Sequence, residues 1–225
     1  EARWLLAAAS NIPRARLTLH GPDQVSDDTH AAFQRYLNAR VARQPVSQII
    51  GTRTFFGRDF KVNGDVLDPR PETETLVMQA LKHPFERVLD VGVGSGAILL
   101  TLLAERETAM GLGVDLSYPA LDVAAQNAER LTLTARARLR ASNWFSEVDG
   151  AFDLITCNPP YISEGDYRNL APDVRNWEPR IALTPGSDGV APYRVLASDA
   201  PRVLKCGGAI EFLLVLNGLP WFCHD

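Results

Sequence analysis

The amino-acid sequence predicts an α/β protein whose larger part is a doubly wound, mostly parallel sheet. From Arg87 onward, short apolar runs of strand length alternate with segments of helical periodicity. A glycine-rich turn separates the first of these strands from the first helix. Such alternation favours a parallel sheet that is buried on both faces and joined by right-handed crossovers. The chain of 225 residues is long enough for one such domain and a smaller appendage.

The composition limits the classes of partner that we expect. Charged residues make up 22% of the chain and the net charge is −4, so there is no basic field and we expect no nucleic-acid partner. No apolar run reaches the roughly 18–20 residues that span a bilayer, and the first residues do not form a signal peptide. We therefore expect a cytoplasmic protein without a membrane partner. The three cysteines and four histidines lack zinc-site spacing, so no metal is expected. The sequence makes no prediction of the oligomeric state.

Residues 1–50 are predicted to form a small helical subdomain. An apolar face begins at Trp4, Gly21-Pro22 interrupts the helical pattern, and a second helix ends before Pro45. We interpret the arginines of this segment as a solvated face.

Residues 51–66 are predicted to form a β-hairpin linker, because strand-like runs lie on both sides of a Gly-Arg pair. The next segment, Leu67–Glu74, leads into a helix. Pro71 suits a first helical position, and Glu72 and Glu74 suit the positive end of the helix dipole. We interpret both glutamates as dipole partners rather than as catalytic groups.

Residues 67–225 are predicted to form the sheet domain. The predicted strands span residues 88–91, 112–116, 137–141, 152–157 and 209–216. The predicted helices run from the glycine turn to about residue 104, from 119 to 131 and from 191 to 204.

The glycine-rich turn after the first strand consists of Gly92, Val93, Gly94, Ser95 and Gly96. Glycines there let the backbone approach a ligand and aim helix N–H groups at it. Asp115 lies at the end of the second strand, where a carboxylate can accept hydrogen bonds from ribose hydroxyls. This combination predicts a nucleoside-binding corner. Because Ala97 completes a Gly-x-Gly-x-x-Ala pattern, the turn fits a dinucleotide enzyme as well as a methyltransferase.

Two segments follow later strands. Trp144 comes after the third strand and can stack on an adenine ring, with Asn143 as a polar neighbour; the competing interpretation is a core aromatic. The fourth strand is followed by Asn158-Pro159-Pro160-Tyr161, where consecutive prolines stop the strand because each lacks an N–H. The strand tip then presents amide and carbonyl acceptors beside an aromatic ring, which suits a planar NH2 group. We therefore predict that this tetrapeptide binds the substrate and that Asn158, Pro159 and Tyr161 are catalytic.

These residues resemble class I S-adenosylmethionine-dependent methyltransferases, and more closely the glutamine N5-methyltransferases that modify peptide-chain release factors. The resemblance covers nearly the whole chain. Its most specific segments are LDPRPETE at 67–74, DVGVGSGA at 90–97, NWF at 143–145, NPPYI at 158–162 and EPxxAL at 178–183.

The resemblance implies a Rossmann-like methyltransferase sheet with S-adenosylmethionine as cofactor. It implies methyl transfer to the side-chain amide of a protein glutamine, the GGQ glutamine of a peptide chain release factor, and substrate recognition by the helical residues 1–50. The glycine turn at 92–96 would hold the methionine part of the cofactor, Asp115 the ribose and Trp144 the adenine. Asn158 would bridge cofactor and substrate.

The chain departs from the family pattern at two places. The family usually has Asp where Asn143 stands, and it continues after the fifth strand with Glu-x-Gly and a further hairpin. Here Glu211 is followed by an apolar run, and Gly218–Asp225 matches no family segment. We therefore expect the last two strands to be missing and Ala209–Leu216 to form an exposed apolar sheet edge.

Three other functions fit part of the sequence. A nucleic-acid adenine N6-methyltransferase also binds a planar NH2 group, but the acidic balance and LDPRPETE count against it. A nicotinamide-dependent oxidoreductase explains the glycines and Asp115 but leaves Asn-Pro-Pro-Tyr without a purpose. An inactive, truncated remnant is the third interpretation, and the unusual C-terminal segment is its support.

Overall fold

A computed structural model describes residues 1–186, 188–216 and 219–222. The N-terminal elements are α1 (Ala2–Ser10), α2 (Asp27–Val41), α3 (Val46–Ile50) and the hairpin strands β1 (Thr52–Phe55) and β2 (Arg58–Lys61). They are followed by α4 (Pro71–Ala80), β3 (Arg87–Val91), α5 (Ala97–Glu105), β4 (Met110–Asp115), α6 (Tyr118–Arg130), β5 (Ala137–Ala141) and β6 (Phe152–Cys157). The last elements are α7 (Glu164–Tyr167), α8 (Pro172–Arg175), α9 (Arg180–Leu183), α10 (Ala191–Asp199), β7 (Leu204–Leu216) and β8 (Leu219–Phe222).

The N-terminal helices pack on one another and are attached to the rest of the chain through Trp177. Helix α2 begins after Ser26, whose hydroxyl accepts a hydrogen bond from the Thr29 N–H and so caps the helix. The Trp177 indole N–H donates to the Ala42 carbonyl at 3.2 Å, and the Gln48 side-chain amide donates to the Trp177 carbonyl at 2.9 Å. The helical segment therefore contacts the long connection between β6 and β7.

The β-hairpin is closed by Phe56-Gly57, one residue earlier than the Gly-Arg pair predicted. Both residues have positive φ, 49° and 73°, which matches the twist of a tight two-residue hairpin. The rings of Phe55 and Phe60 are buried and meet edge to face, with their centroids 6.1 Å apart. The Glu74 carboxylate accepts a hydrogen bond from the Phe56 N–H at 2.8 Å. Glu74 therefore holds the hairpin turn, in addition to lying in the first turn of α4.

Asn127, a fully buried residue of α6, joins the hairpin to the sheet domain. Its side-chain oxygen accepts from the Lys61 N–H at 2.7 Å, and its NH2 group donates to the Lys61 carbonyl at 3.0 Å and to the Ser95 carbonyl at 2.8 Å. A single amide thus pairs with β2 as a neighbouring strand would, and also fixes the glycine turn.

Within the described residues, six strands form one sheet in the order β5-β4-β3-β6-β7-β8. Neighbours from β5 to β7 pair in parallel, whereas β8 is antiparallel to β7. The chain builds outward from β3 in one direction and then, from β6, in the other, so a topological switch point lies between β3 and β6. This architecture confirms the predicted doubly wound, mostly parallel sheet.

Helices cover both faces of the sheet. On one face, α5 is buried along most of its length and packs with α4 residues such as Leu76. On the other face, Phe145 and Phe152 pack against Leu196 of α10. In the described part of the chain, none of the helices has the length and apolar character needed to cross a membrane.

The predicted elements are wrong in two places near the C-terminus. The helix predicted at 191–204 ends at Asp199, and Ala200–Arg202 forms a 3-10 turn. Pro201 explains this boundary, because it supplies no N–H to the helix. Strand β7 then begins at Leu204, five residues earlier than predicted, and a register shift against β6 accommodates its two glycines.

The predicted exposed edge is also wrong for the second half of β7. Residues 213–216 pair with β8, which supplies a further strand where none was expected. Only part of the segment Gly218–Asp225 is described, so the rest of that expectation lies outside the described residues. Among the described residues, Ala209–Phe212 pair only with β6.

We predict that Asn127→Ala lowers the free energy of unfolding by about 1–3 kcal/mol, because the backbone N–H and C=O groups of Lys61 in β2 and the Ser95 carbonyl lose their partner. Gln126→Ala is the matched control, since the side chain of the neighbouring exposed Gln126 accepts a hydrogen bond from the side chain of the same Lys61. Urea unfolding of both variants checks the prediction. Equal stability of the two variants would contradict it.

Candidate active site

The carboxyl ends of β3, β4, β5 and β6 surround a cavity of about 380 Å³, the glycine-loop cavity. Parallel strands place their carboxyl ends on the same edge of the sheet, which is why segments distant in sequence meet here. Its walls include these predicted site residues: Gly92, Val93, Gly94, Ser95, Asp115, Asn143, Trp144, Asn158 and Pro160.

The glycine turn is shaped by left-handed backbone and by hydrogen bonds to β4. Gly92, Gly94 and Gly96 have φ values of 77°, 52° and 81°, which residues other than glycine rarely adopt. The N–H groups of Gly92 and Val93 both donate to the Val114 carbonyl at 2.9 Å. Gly96 does not line the cavity. A Cβ there would lie 2.8 Å from the Leu100 side chain, so this glycine allows α5 to start close to the turn.

Asp115 ties the glycine turn to the loop that follows β4. One carboxylate oxygen accepts from the Gly94 N–H and the other from the Ser117 N–H, each at 2.9 Å. Every carboxylate oxygen has a further lone pair, so Asp115 retains acceptor capacity toward the cavity. The two hydrogen bonds fix the orientation of its carboxylate before any ligand arrives.

Trp144 lies between the glycine-loop cavity and the core cluster that contains its neighbour Phe145. Phe145 is buried in the core, whereas the half-buried Trp144 lines the cavity. Trp144 has a φ of 53°, an uncommon backbone conformation for a bulky residue. The Ser142 hydroxyl donates to the Trp144 carbonyl at 2.8 Å and helps to hold this conformation. Strained backbone of this kind is concentrated at functional sites.

Asn158 lies where the glycine-loop cavity meets a neighbouring cavity of about 360 Å³, the Tyr161 cavity. Its side-chain oxygen is buried and has no hydrogen-bond partner among the described residues. Buried polar atoms are nearly always paired, and this acceptor is available to a donor of a ligand that binds in either cavity.

The walls of the Tyr161 cavity combine apolar side chains with polar groups. Pro159 and Tyr161 line it together with Asn158, whereas Pro160 faces the other cavity. Burial raises the pKa of the Tyr161 hydroxyl, so the ring remains neutral at physiological pH. The segment Asn158–Tyr161 therefore contributes to the walls of both cavities.

Three ionisable residues near the site, Asp90, Arg70 and Glu178, were not assigned a role from the sequence. Asp90, at the base of the glycine turn, is fully buried, and burial raises the pKa of its carboxyl to about 7. One of its oxygens accepts from the Thr156 hydroxyl at 2.7 Å, and the other has no partner among the described residues. Arg70 pairs with the buried Glu178 across 108 positions of sequence. Neither contact could be found from local periodicity.

Comparison with known proteins identifies the family. The Methyltransferase small domain family matches residues 68–172, and the PrmC N-terminal domain family matches residues 1–51. A protein of Cereibacter sphaeroides named release factor glutamine methyltransferase is 53% identical over 210 residues, which cover 93% of this chain and 76% of the relative. A protein of Caulobacter vibrioides with the same name is 45% identical, over 92% of this chain and 74% of the relative. The chain belongs to the release factor glutamine methyltransferase family.

The fold agrees with this membership in the release factor glutamine methyltransferase family. A methyltransferase of Pyrococcus furiosus has a crystal structure that aligns with a TM-score of 0.54 and 20% identity, over 81% of this chain and 78% of that one. At this identity the likeness concerns the fold alone. Among the open interpretations of the glycine turn, family membership favours the methyltransferase over the dinucleotide enzyme.

We predict that Asp90 makes folding stability depend on pH. Between about pH 4 and 7, the carboxyl is ionised in the unfolded chain but protonated in the folded one, so raising the pH lowers stability; above about pH 7 this loss levels off. Asp90→Asn keeps the shape and removes the titration. The stability of this variant relative to the original chain should therefore rise by roughly 1 kcal/mol per pH unit between pH 5 and 7. Urea unfolding at pH 5, 6, 7 and 8 measures it, and a constant difference would contradict the assignment.

Proposed function

We propose that this protein transfers a methyl group from S-adenosylmethionine to the side-chain amide nitrogen of a glutamine in a peptide chain release factor. The observation that carries the proposal is the unpaired, buried Asn158 oxygen at the wall shared by the glycine-loop and Tyr161 cavities. An acceptor at that position can bind an amide NH2 group that arrives from one cavity and faces the other. The names of the most similar relatives support the substrate class.

The residues of the glycine-loop cavity fit an adenosyl sulfonium cofactor. We assign the methionine part to the glycine turn at 92–96, the ribose to the fixed carboxylate of Asp115, and the adenine to the Trp144 ring, with exposed Asn143 beside it. When bound, S-adenosylmethionine supplies an electrophilic methyl group. A cavity of about 380 Å³ falls within the usual range for small-molecule sites.

The Tyr161 cavity would hold the glutamine side chain. The Asn158 oxygen accepts one N–H of the substrate amide, and the Pro159 carbonyl accepts the other. An amide nitrogen is a weak nucleophile because its lone pair is delocalised into the carbonyl. Two acceptors fix the NH2 plane and stabilise the positive charge that develops on nitrogen as it gains the methyl group. The neutral Tyr161 ring restricts the amide plane, and the proton that leaves the methylated nitrogen passes to water.

We further propose a division of labour along the chain. Residues 1–50 form the substrate-recognition part, residues 51–66 the hairpin linker, and residues 67–225 the methyltransferase domain. The hydrogen bonds of Trp177 with Ala42 and Gln48 support this division, because they attach the helical part beside the Tyr161 cavity. A release factor held by those helices would lie next to the cavity that takes its glutamine.

The adenine-methylating alternative makes a different demand on the site. An adenine base would need a nucleic-acid surface around the Tyr161 cavity, whose charged walls in the described chain are Arg70 and Glu72, one of each sign. Phosphate backbones require clusters of cations instead. Family membership likewise favours a protein substrate.

We predict that Asn158→Ala lowers the rate of methyl transfer at least a hundredfold, the scale of a lost transition-state hydrogen bond of roughly 3–4 kcal/mol. Affinity for S-adenosylhomocysteine should fall much less, because the glycine turn and Asp115 remain. Asn158→Asp keeps the shape but adds a negative charge beside the cofactor sulfonium. This charge favours the bound cofactor as well as the transition state, so cofactor affinity should be retained more fully than the rate of transfer.

The experiment measures transfer of labelled methyl groups to a release factor and to DNA, together with cofactor affinity by calorimetry. Asn169→Ala, which removes an exposed amide that lines neither cavity, is the control and should behave as the original chain. Unchanged transfer by Asn158→Ala would remove the basis of the proposal. Methylation of DNA alone would favour adenine as the substrate.

A further inference from the structure

An ion pair connects two of the segments that carry the family resemblance but have no role in the proposed chemistry. Arg70, from LDPRPETE, is the residue immediately before α4, and Glu178, from EPxxAL, precedes α9. The Arg70 Nη2 donates to both carboxylate oxygens of Glu178, at 2.6 Å and 2.8 Å. Only 1% of the Glu178 side chain is exposed, whereas 36% of the Arg70 side chain is exposed.

The pair lies at the cavity that would receive the substrate. Arg70 lines the Tyr161 cavity, and Leu67 and Ala182, from the same two segments, line both cavities. The ion pair therefore holds together two segments that, like Asn158, contribute to both cavities. Burial of a carboxylate is unfavourable unless it is paired, so the Glu178 side chain constrains where the guanidinium can lie.

Arg70 keeps unused donors. A guanidinium carries five N–H groups in a fixed plane. In the described part of the chain, its hydrogen bonds all come from Nη2, which leaves Nε and Nη1 without a protein partner. A planar cation that is held by a buried carboxylate and lines a cavity has donors available for an oxygen acceptor of a ligand.

The charge of the Tyr161 cavity identifies the type of acceptor. Its charged walls within the described residues are Arg70 and the exposed Glu72, and the remaining walls are mostly apolar. One cation beside one anion gives no preference for a charged side chain, but matches the carbonyl and N–H groups of a peptide main chain. These groups are present whatever side chains flank the glutamine.

We propose that Arg70 is a substrate-binding residue that donates hydrogen bonds to a main-chain carbonyl next to the target glutamine, and that Glu178 positions it. This inference rests on the proposed function. It names the part of the protein substrate that is recognised, which is the main chain next to the target glutamine rather than a charged side chain. Holding the main chain at Arg70 fixes the distance over which the glutamine side chain reaches Asn158.

The test compares Arg70→Lys with Arg180→Lys. Arg180 is a matched control because its Nη2 also donates to both oxygens of a glutamate, Glu164, but on the surface, and Arg180 lines neither cavity. The dissociation constant of the release factor is measured by calorimetry with S-adenosylhomocysteine present, alongside the affinity for S-adenosylhomocysteine alone. Arg70→Lys should weaken release-factor binding about tenfold, the scale of one charge-assisted hydrogen bond. Its cofactor affinity should stay within about twofold, and Arg180→Lys should change neither.

A modified substrate tests the main-chain contact itself. In a synthetic glutamine peptide, an ester replaces the peptide bond beside the glutamine and makes its carbonyl a weaker acceptor. The original chain should lose affinity for the ester peptide, whereas Arg70→Lys should lose less, because the bond is already weakened. If Arg70→Lys does not fold, the double variant Arg70→Gln with Glu178→Gln replaces it, since an amide pair leaves no buried charge.

The outcomes separate this inference from the proposed function. Equal release-factor affinity for Arg70→Lys and Arg180→Lys, with methylation by the original chain intact, overturns the inference alone. An equal loss of affinity for the ester peptide in the original chain and in Arg70→Lys also overturns it. Failure of the original chain to bind or methylate a release factor overturns the proposed function and this inference with it.

Discussion

The parallel pairing of β3 with β6 is the contact on which the candidate site depends. Val91 lies opposite Cys157, so both strands end at the same level of the sheet. The glycine turn and Asn158 therefore begin side by side, although 65 residues separate Gly92 from Cys157. Because the strand order reverses between these two strands, their following loops diverge and leave the cavities between them. A shift of one residue in this register would place the Asn158 side chain on the other face of the sheet.

The parts of the fold that depend on local pattern could be predicted. Strands such as 152–157 are short apolar runs, and the double proline after Asn158 marks the end of one without ambiguity. The glycine turn at 92–96 was likewise predicted. Its three glycines take the left-handed backbone conformation that few other residues adopt. The placement of Gly92, Asp115, Trp144 and Asn158 around one cavity then follows from the parallel topology.

The contacts that join distant segments could not be predicted from the sequence in the same way. Asn127 looks like an ordinary polar residue of an amphipathic helix, yet its amide pairs with a strand 66 positions away. Arg70 and Glu178 carry no periodic signal for each other, and the antiparallel pairing of β8 with β7 was not predicted either. Such pairings are set by tertiary packing, which overrides local propensity.

The unpaired acceptor of Asn158 also bears on how many methyl groups a substrate can receive. A primary amide offers two N–H groups. In the proposed mechanism one donates to the Asn158 oxygen and the other to the Pro159 carbonyl. After one methylation the nitrogen keeps a single N–H, so it can no longer satisfy both acceptors while presenting a free lone pair to the cofactor side. A glutamate side chain would place oxygen against oxygen at the same point. Under the proposed function, this arrangement limits the product to the monomethyl amide and rejects the acid.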